Sequence, residues 1–411
     1  MQAKPKAVRL TDAQRFDWLR LIRSENVGPR TFRALINRYG GAGAALAALP
    51  DLARRGGAAR QIRVATPEEI ERELTAAREA GVRFVALGEP EYPPALRQID
   101  SAPPILALRG RLEALQRPAV AIVGSRNASA AGLTFTERLA RGLGAAGYVI
   151  VSGLARGVDQ RAHIASLGTG TIGVLAGGHA RPYPPEAAPL IARIVEFGVV
   201  LSEMPIEWEA RGRDFPRRNR LVSGLALGAV IVEAARSSGS LITARFAAEQ
   251  NREVFAVPGS PLDPRAEGTN DLLREGANLC AKPEDVLSVL EPLRARDPFS
   301  VLREEPRQPA ASSGGEPALL DFDQDWPPGA GPGDAFDAGS PDLAASEPPL
   351  GLRARIVDLL GPSPISIDEL ARAAEAPISE VRVVLLELDL AGRLEHSGGA
   401  RVSLTTPRGR D

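Results

Sequence analysis

From about Ala119 to Val289, short and continuously apolar runs alternate with stretches in which apolar residues recur at helical spacing. Six runs predict strands: Ala119–Val123, Tyr148–Val151, Thr171–Leu175, Val199–Leu201, Ala229–Val232 and Val254–Val257. Runs that are apolar at every position suit strands covered on both faces, whereas one-sided strands alternate. Between them, Gly132–Ala146, Glu186–Phe197 and Ser240–Gln250 carry the helical pattern. Strand alternating with helix predicts an α/β fold, a doubly wound and mostly parallel sheet of extended Rossmann-like type with right-handed crossovers.

The flanks read differently. From Thr11 to about Ala80 the pattern gives short helices, with turns at Gly28-Pro29 and Tyr39-Gly-Gly, an all-α N-terminal domain of helix-hairpin-helix or sterile-alpha-motif type. Near the other end, Leu352–Leu360 predicts a helix and Ser366-Ile-Asp-Glu369 a capping box that opens a second. A third runs from Ser379 to about Ala391, followed by two alternating runs around a Gly-Gly turn. Three helices and a hairpin make a C-terminal winged helix, a fold that often reads duplex DNA through its third helix. That helix offers Arg382 against Glu380, Glu387 and Asp389. Its charge favours a protein-docking or autoregulatory role.

Composition adds a boundary. Asp297–Leu350 holds ten Pro and six Gly, with eleven acidic residues against two basic ones, a net charge of −9. Such a segment buries too little apolar surface to offset the entropy of ordering it, and reads as a tether. The domains expected are therefore 1–85 helical, 86–295 Rossmann-like, 296–350 linker and 351–411 winged helix. The overall charge of −1 conceals +8 outside the tether, much of it arginine, so an anionic ligand is not excluded. One cysteine and three histidines leave no disulfide and no Cys/His metal centre to expect. No run approaches the roughly 18 apolar residues of a membrane span, and the N-terminus has no signal-peptide core. A cytoplasmic protein without metal or cofactor is the expectation.

In an open parallel sheet, ligands bind beyond the carboxyl ends of the strands. Here those ends run into Gly124-Ser125-Arg126-Asn127, Ser152-Gly153-Leu-Ala-Arg156-Gly157-Val-Asp159, Gly177-Gly178-His179, Ser202-Glu203, Ser237-Ser-Gly-Ser240 and Pro258-Gly-Ser260. Small residues let phosphates approach helix N-termini, where the helix dipole favours anions. Neither the dinucleotide fingerprint Gly-x-Gly-x-x-Gly nor a Walker loop is present, which disfavours NAD, FAD and ATP hydrolysis. Between the fourth and fifth strands, Phe215-Pro216-Arg217-Arg218-Asn219-Arg220 combines guanidinium groups for phosphates, an aromatic face for stacking and an amide for a base edge. With Arg126 and Arg156 on the same sheet edge, this loop predicts a surface for single-stranded nucleic acid. Asp159, Glu203 and Glu233 are the carboxylates an acid/base reading would use, and His163 shares the helix after the second strand with Arg161. No nucleophile accompanies them.

The ordered motifs resemble a known family. Tyr92-Pro93-Pro-Ala-Leu96 with Pro103-Pro104, Val120-Ala-Ile-Val-Gly124-Ser125-Arg126, Ser152-Gly-Leu-Ala-Arg-Gly-Val-Asp159 with His163, Phe215–Arg220, Ser238-Gly-Ser-Leu-Ile-Thr-Ala244, Val254-Phe-Ala-Val-Pro-Gly259 and Gly268-Thr-Asn270 are similar to DNA-processing protein A, DprA or Smf. The resemblance covers about Tyr92 to Ala277. It implies a non-enzymatic protein of natural transformation and DNA recombination, active in competence, that binds and protects incoming single-stranded DNA. It further implies a RecA-type recombinase as partner and a homodimer formed through the Rossmann-like domain. In that family the Gly-Ser-Arg turn and the Asn-Arg-bearing loop contact DNA, which carries over to Gly124, Ser125, Arg126, Phe215, Arg217, Arg218, Asn219 and Arg220. A nucleoside-phosphate hydrolase of related fold is the alternative. Such enzymes show Pro-Gly-Gly-x-Gly-Thr with a nearby Glu, where this chain has Ser237-Ser-Gly-Ser-Leu-Ile-Thr243.

Overall fold

The computed structural model describes residues 9–295, 350–361, 363–397 and 401–405. The expected tether up to residue 349 and the Gly-Gly turn of the C-terminal hairpin lie outside the described residues.

Two compact units divide the described chain. One takes in the residues up to Glu71, Gly88–Pro90 and the C-terminal part from residue 350; the other takes Arg72–Leu87 and Glu91 to residue 295.

The second unit is built on nine strands: β1 (Arg83–Ala86), β2 (Ile105–Gly110), β3 (Ala119–Gly124), β4 (Val149–Ser152), β5 (Thr171–Val174), β6 (Val199–Ser202), β7 (Gly228–Val232), β8 (Glu253–Ala256) and β9 (Asn278–Leu279). Their order is β1-β2-β6-β5-β4-β3-β7-β8-β9. From β6 to β9 all pairs are parallel, while β2 pairs antiparallel with both β1 and β6. All six predicted strands are present, and β1, β2 and β9 extend the sheet beyond them. Alternation within β3 shows why each strand is apolar throughout. Ala121 and Val123 enter a core with Val151, Val174, Leu201 and Ile231, whereas Val120 and Ile122 enter the opposite one with Ile150, Val230 and Val232. Helices α6 (Ala130–Ala145), α7 (Val158–Ser166), α8 (Ala188–Phe197), α9 (Asp214–Gly224), α10 (Gly239–Glu249), α11 (Glu267–Arg274) and α12 (Pro283–Ala295) follow the strands, and the short α5 (Pro94–Arg97) precedes β2. The doubly wound α/β class is confirmed, with an antiparallel edge of two strands.

One element differs from its sequence reading. The basic segment Phe215–Arg220 is the first two turns of α9, where a loop was expected. The buried Asp214 carboxylate organises the preceding loop by accepting from the Arg211 amide at 2.9 Å and from Trp208 Nε1 at 2.9 Å. Helical geometry then sends successive arginines in different directions.

The first unit contains α1 (Asp12–Arg23), α2 (Pro29–Tyr39) and α3 (Ala42–Arg55), and α4 (Pro67–Glu79) continues from it. Thr11 opens α1 with a full capping box, Pro29 takes the first turn of α2, and Gly40 ends it in the left-handed region at φ 71°. The C-terminal part gives α13 (Leu350–Leu359), β10 (Ile365–Ser366), α14 (Ile367–Ala373), α15 (Ile378–Leu390), β11 (Leu394–Ser397) and β12 (Arg401–Leu404), with sheet order β10-β12-β11. Ser366 and Glu369 form the predicted capping box. Val381, Val384, Leu385 and Leu388 of α15 join Leu352, Ile356, Leu370 and Val402 in one core, so the winged helix has an apolar interior of its own.

Candidate nucleic-acid interface

The carboxyl ends of the parallel strands set the site. Strand β3 ends at Gly124, where an added Cβ would meet the Val232 carbonyl of β7 and the Val158 side chain of α7. The chain then turns: the Asn127 amide donates to Ser125 Oγ at 3.1 Å, and Arg126 and Asn127 face solvent. Beyond β4, Leu154 stands at φ 65° and Gly157 at φ 80°. A Cβ on Gly157 would overlap the carbonyl oxygens of Ser125 and Arg126, so glycine is needed for the conformation and for the close approach. The exposed Arg156 is thereby held beside the Ser125–Asn127 turn. Glu233, after β7, is also left-handed at φ 51°. Non-glycine residues in that region cluster where a site over-determines the backbone.

An aromatic row joins these loops. The Arg126 guanidinium lies 5.7 Å above the Phe215 ring, and Phe215 meets Tyr183 edge-on at 5.3 Å between ring centroids. Tyr183 comes from the segment after β5 and is 49% exposed. Beyond β6, the Arg211 guanidinium sits 4.8 Å from the Trp208 ring centre. Arg181, Arg211, Arg213 and Arg217 are exposed as well, with Glu207 and Glu209 interspersed. Aromatic rings among guanidinium groups match what single strands require: bases stack irrespective of sequence and cations track the phosphates.

The basic helix divides its labour. Arg217 is exposed, with its Nε 2.9 Å from Glu203. Half-buried Asn219 donates from Nδ2 to the Gly239 carbonyl at 3.1 Å, tying α9 to the start of α10. Arg218 is buried and donates to the carbonyl oxygens of Gly153 and Val174, at the ends of β4 and β5. Burial lowers its pKa to about 10, against the opposing charge of Asp159. Arg220 is buried on the Glu203 carboxylate and donates to the Ser101 carbonyl. The four-residue run thus offers one outward guanidinium and two that hold strand ends in place.

The carboxylates are engaged too. Asp159 accepts from the Ala155 amide at 3.2 Å; burial pushes its pKa up to about 6, countered by Arg218. Glu203 is held by Arg217 and Arg220. Glu233 accepts from the Ser129 amide at 2.9 Å and from the Ser129 hydroxyl, at the start of α6. His163 is buried with Nδ1 2.7 Å from Thr171 Oγ1, and burial lowers its pKa to about 3. Among the described residues no group of three His, Cys, Asp or Glu side chains could hold a metal ion. No helix among them is long and apolar enough to cross a membrane. Sequence reasoning missed Tyr183, Trp208 and Arg211, although Arg181-Pro-Tyr-Pro-Pro directly follows the third predicted strand end.

A Rossmann-like sheet edge lined by arginine and aromatic side chains, with a helical N-terminal part and a winged helix, defines a class of DNA-handling protein. The chain belongs to the DNA recombination-mediator protein A family, whose model matches residues 83–291. A DprA-like N-terminal HHH domain matches residues 12–76 and a DprA winged helix domain residues 340–400. The chain is 40% identical to the DNA processing protein DprA of Bacillus subtilis over 225 residues, 54% of this chain and 76% of the relative. To Protein Smf of Escherichia coli it is 34% identical over 316 residues, 76% of this chain and 75% of the relative. Among solved structures, DNA processing protein A of Streptococcus pneumoniae superposes with a TM-score of 0.57 at 32% identity, covering 68% of this chain and 98% of that one.

Proposed function

We propose that this chain binds single-stranded DNA along the carboxyl edge of its parallel sheet, without catalysing a reaction on it. The observation that carries the reading is the Arg126–Phe215–Tyr183 cluster, which draws a guanidinium and two ring faces from three separate strand ends. Arg126, Asn127, Arg156 and Arg217 meet the phosphates, Phe215 and Tyr183 stack on bases, and Gly124 and Ser125 allow the backbone to approach. Arg218, Asn219 and Arg220 hold those groups in register. Membership of a recombination-mediator family supports the rest: a homodimer, acting in the cytoplasm in natural transformation, that protects the strand and passes it to a RecA-type recombinase. A nucleoside-phosphate hydrolase would use a carboxylate facing its substrate, and Asp159, Glu203 and Glu233 are bound to protein groups instead.

Anisotropy titration of a labelled oligonucleotide with wild type, Arg126→Ala and Phe215→Ala tests the reading. Arg126→Ala should weaken binding and flatten the salt dependence by about 0.7 in log–log slope, the value of one single-strand phosphate. Phe215→Ala should weaken binding by about 1–3 kcal/mol at unchanged slope. Wild-type affinity and slope in both variants would remove the proposed surface.

A further inference from the structure

In a winged helix that reads duplex DNA, the third helix enters the major groove with its outer face free. Here that helix, α15, is buried on two sides. Val381, Val384, Leu385 and Leu388 face the winged helix's own core. Leu386, Glu387 and Leu390 are buried as well, and they lie outside that core. A helix that is apolar around most of its circumference is one that is covered around most of it.

The covering element belongs to the N-terminal helices of the same unit. Thr31 of α2 donates from Oγ1 to Asp389 Oδ2 at 2.5 Å, and Asn26 Nδ2 donates to the Leu390 carbonyl at 2.9 Å. In return, Arg393 donates from Nη1 to the Gly56 carbonyl at 3.3 Å. At Gly56, just past α3, the approach is closest: a Cβ there would overlap the Glu387 backbone carbonyl and touch Ala391. Gly56 itself has φ −70° and ψ −4°, a conformation open to any residue. Its smallness therefore serves the contact and not the local backbone.

Charge points the same way. Glu380, Glu387 and Asp389 outnumber Arg382 on α15. Glu387 is neutralised by Arg353 of α13, whose Nε and Nη2 lie 2.8 and 2.7 Å from one carboxylate oxygen. A groove-reading helix needs donors for phosphates and base edges, and this one commits Glu387 and Asp389 to protein groups.

We propose that the winged helix of this chain is a protein-docking module, with the α2–α3 platform of the same chain as the partner of α15, and that α15 does not read duplex DNA. This assignment does not depend on the single-strand surface.

The test is a spin-label distance measurement on the full chain with cysteines at exposed Ala34 and Glu395. The native Cys280 is buried, with its thiol pushed up to about 12, and stays unlabelled. One narrow distance distribution is expected for the otherwise wild-type chain. Gly56→Leu, acting from the platform, and Leu386→Glu, acting from outside the winged-helix core, should each broaden it. A broad distribution without either substitution, or a narrow one surviving both, overturns the dock. A short distance in mixed, singly labelled chains assigns α15 to a second copy and overturns the same-chain partner. Duplex affinity of Gly56→Leu should stay within about twofold of wild type; a rise of about tenfold or more would show a masked DNA reader and overturn the docking assignment.

Discussion

Arg217 and Arg220 look alike in the sequence and are opposites in the structure. Both approach Glu203, but the Arg217 side chain is 43% exposed and that of Arg220 only 9%. An exposed pair contributes about 0–1 kcal/mol, whereas removing one partner of a buried pair costs on the order of 3–5 kcal/mol. Arg217→Ala should therefore lower DNA affinity with little change in stability. Arg220→Ala should lose roughly 3 kcal/mol of stability, at the low end because Arg217 still faces Glu203. Denaturant unfolding beside a binding titration separates the two; equal stability losses would contradict the assignment. Two buried groups, His163 and Asp159, set a pH dependence. With a folded pKa of about 3 against an ordinary 6.5, His163 contributes stability that is complete above pH 6.5 and is lost as pH falls toward 3. Asp159, raised from 3.8 to about 6, acts in the opposite sense: its contribution is present below 3.8 and is lost as pH rises through 6. His163→Asn should thus reduce the stability lost on going from pH 6.5 to 4, measured by denaturant midpoints across that range. An unchanged midpoint profile would show that His163 is not held neutral.

At the scale of elements, the strands were the legible part. Burial on both faces forces every position to be apolar, so β3, β4, β5, β6 and β7 announce themselves. The edges were not legible: β9 is two residues long, and β2 runs antiparallel to β6, a pairing that no local pattern specifies. Helix α9 was hidden because Phe-Pro-Arg-Arg-Asn-Arg carries little apolar periodicity; its helical state rests on tertiary bonds from Arg218 and Arg220. The site's residue types were readable, but their division into outward and inward groups depends on that helical phase. Tyr183 and Trp208 escaped for a related reason, since single aromatic residues in loops acquire meaning only beside Phe215 and Arg211. Gly157 couples the β4 loop to the Ser125–Asn127 turn. Gly157→Ala, strained at φ 80° and overlapping two carbonyl oxygens, should displace the turn and weaken single-strand binding at least as much as Arg126→Ala, with more than about 1 kcal/mol of stability lost. Wild-type affinity in this variant would mean that the turn needs no support from the β4 loop.

For the whole molecule, charge averaging is the lesson of the sequence. The near-zero total is produced by an acidic segment, while exposed Arg126, Arg156, Arg181, Arg211, Arg213 and Arg217 all lie beyond the carboxyl ends of parallel strands. The central claim, that this edge takes a single strand by phosphates and stacking, is tested most directly by anisotropy of the full chain. Matched single-stranded and duplex oligonucleotides would be titrated across a salt series. The account predicts preference for the single strand and a linear fall of log affinity with log salt, as counterion release requires. Equal affinity for both forms, or binding indifferent to salt, would contradict it.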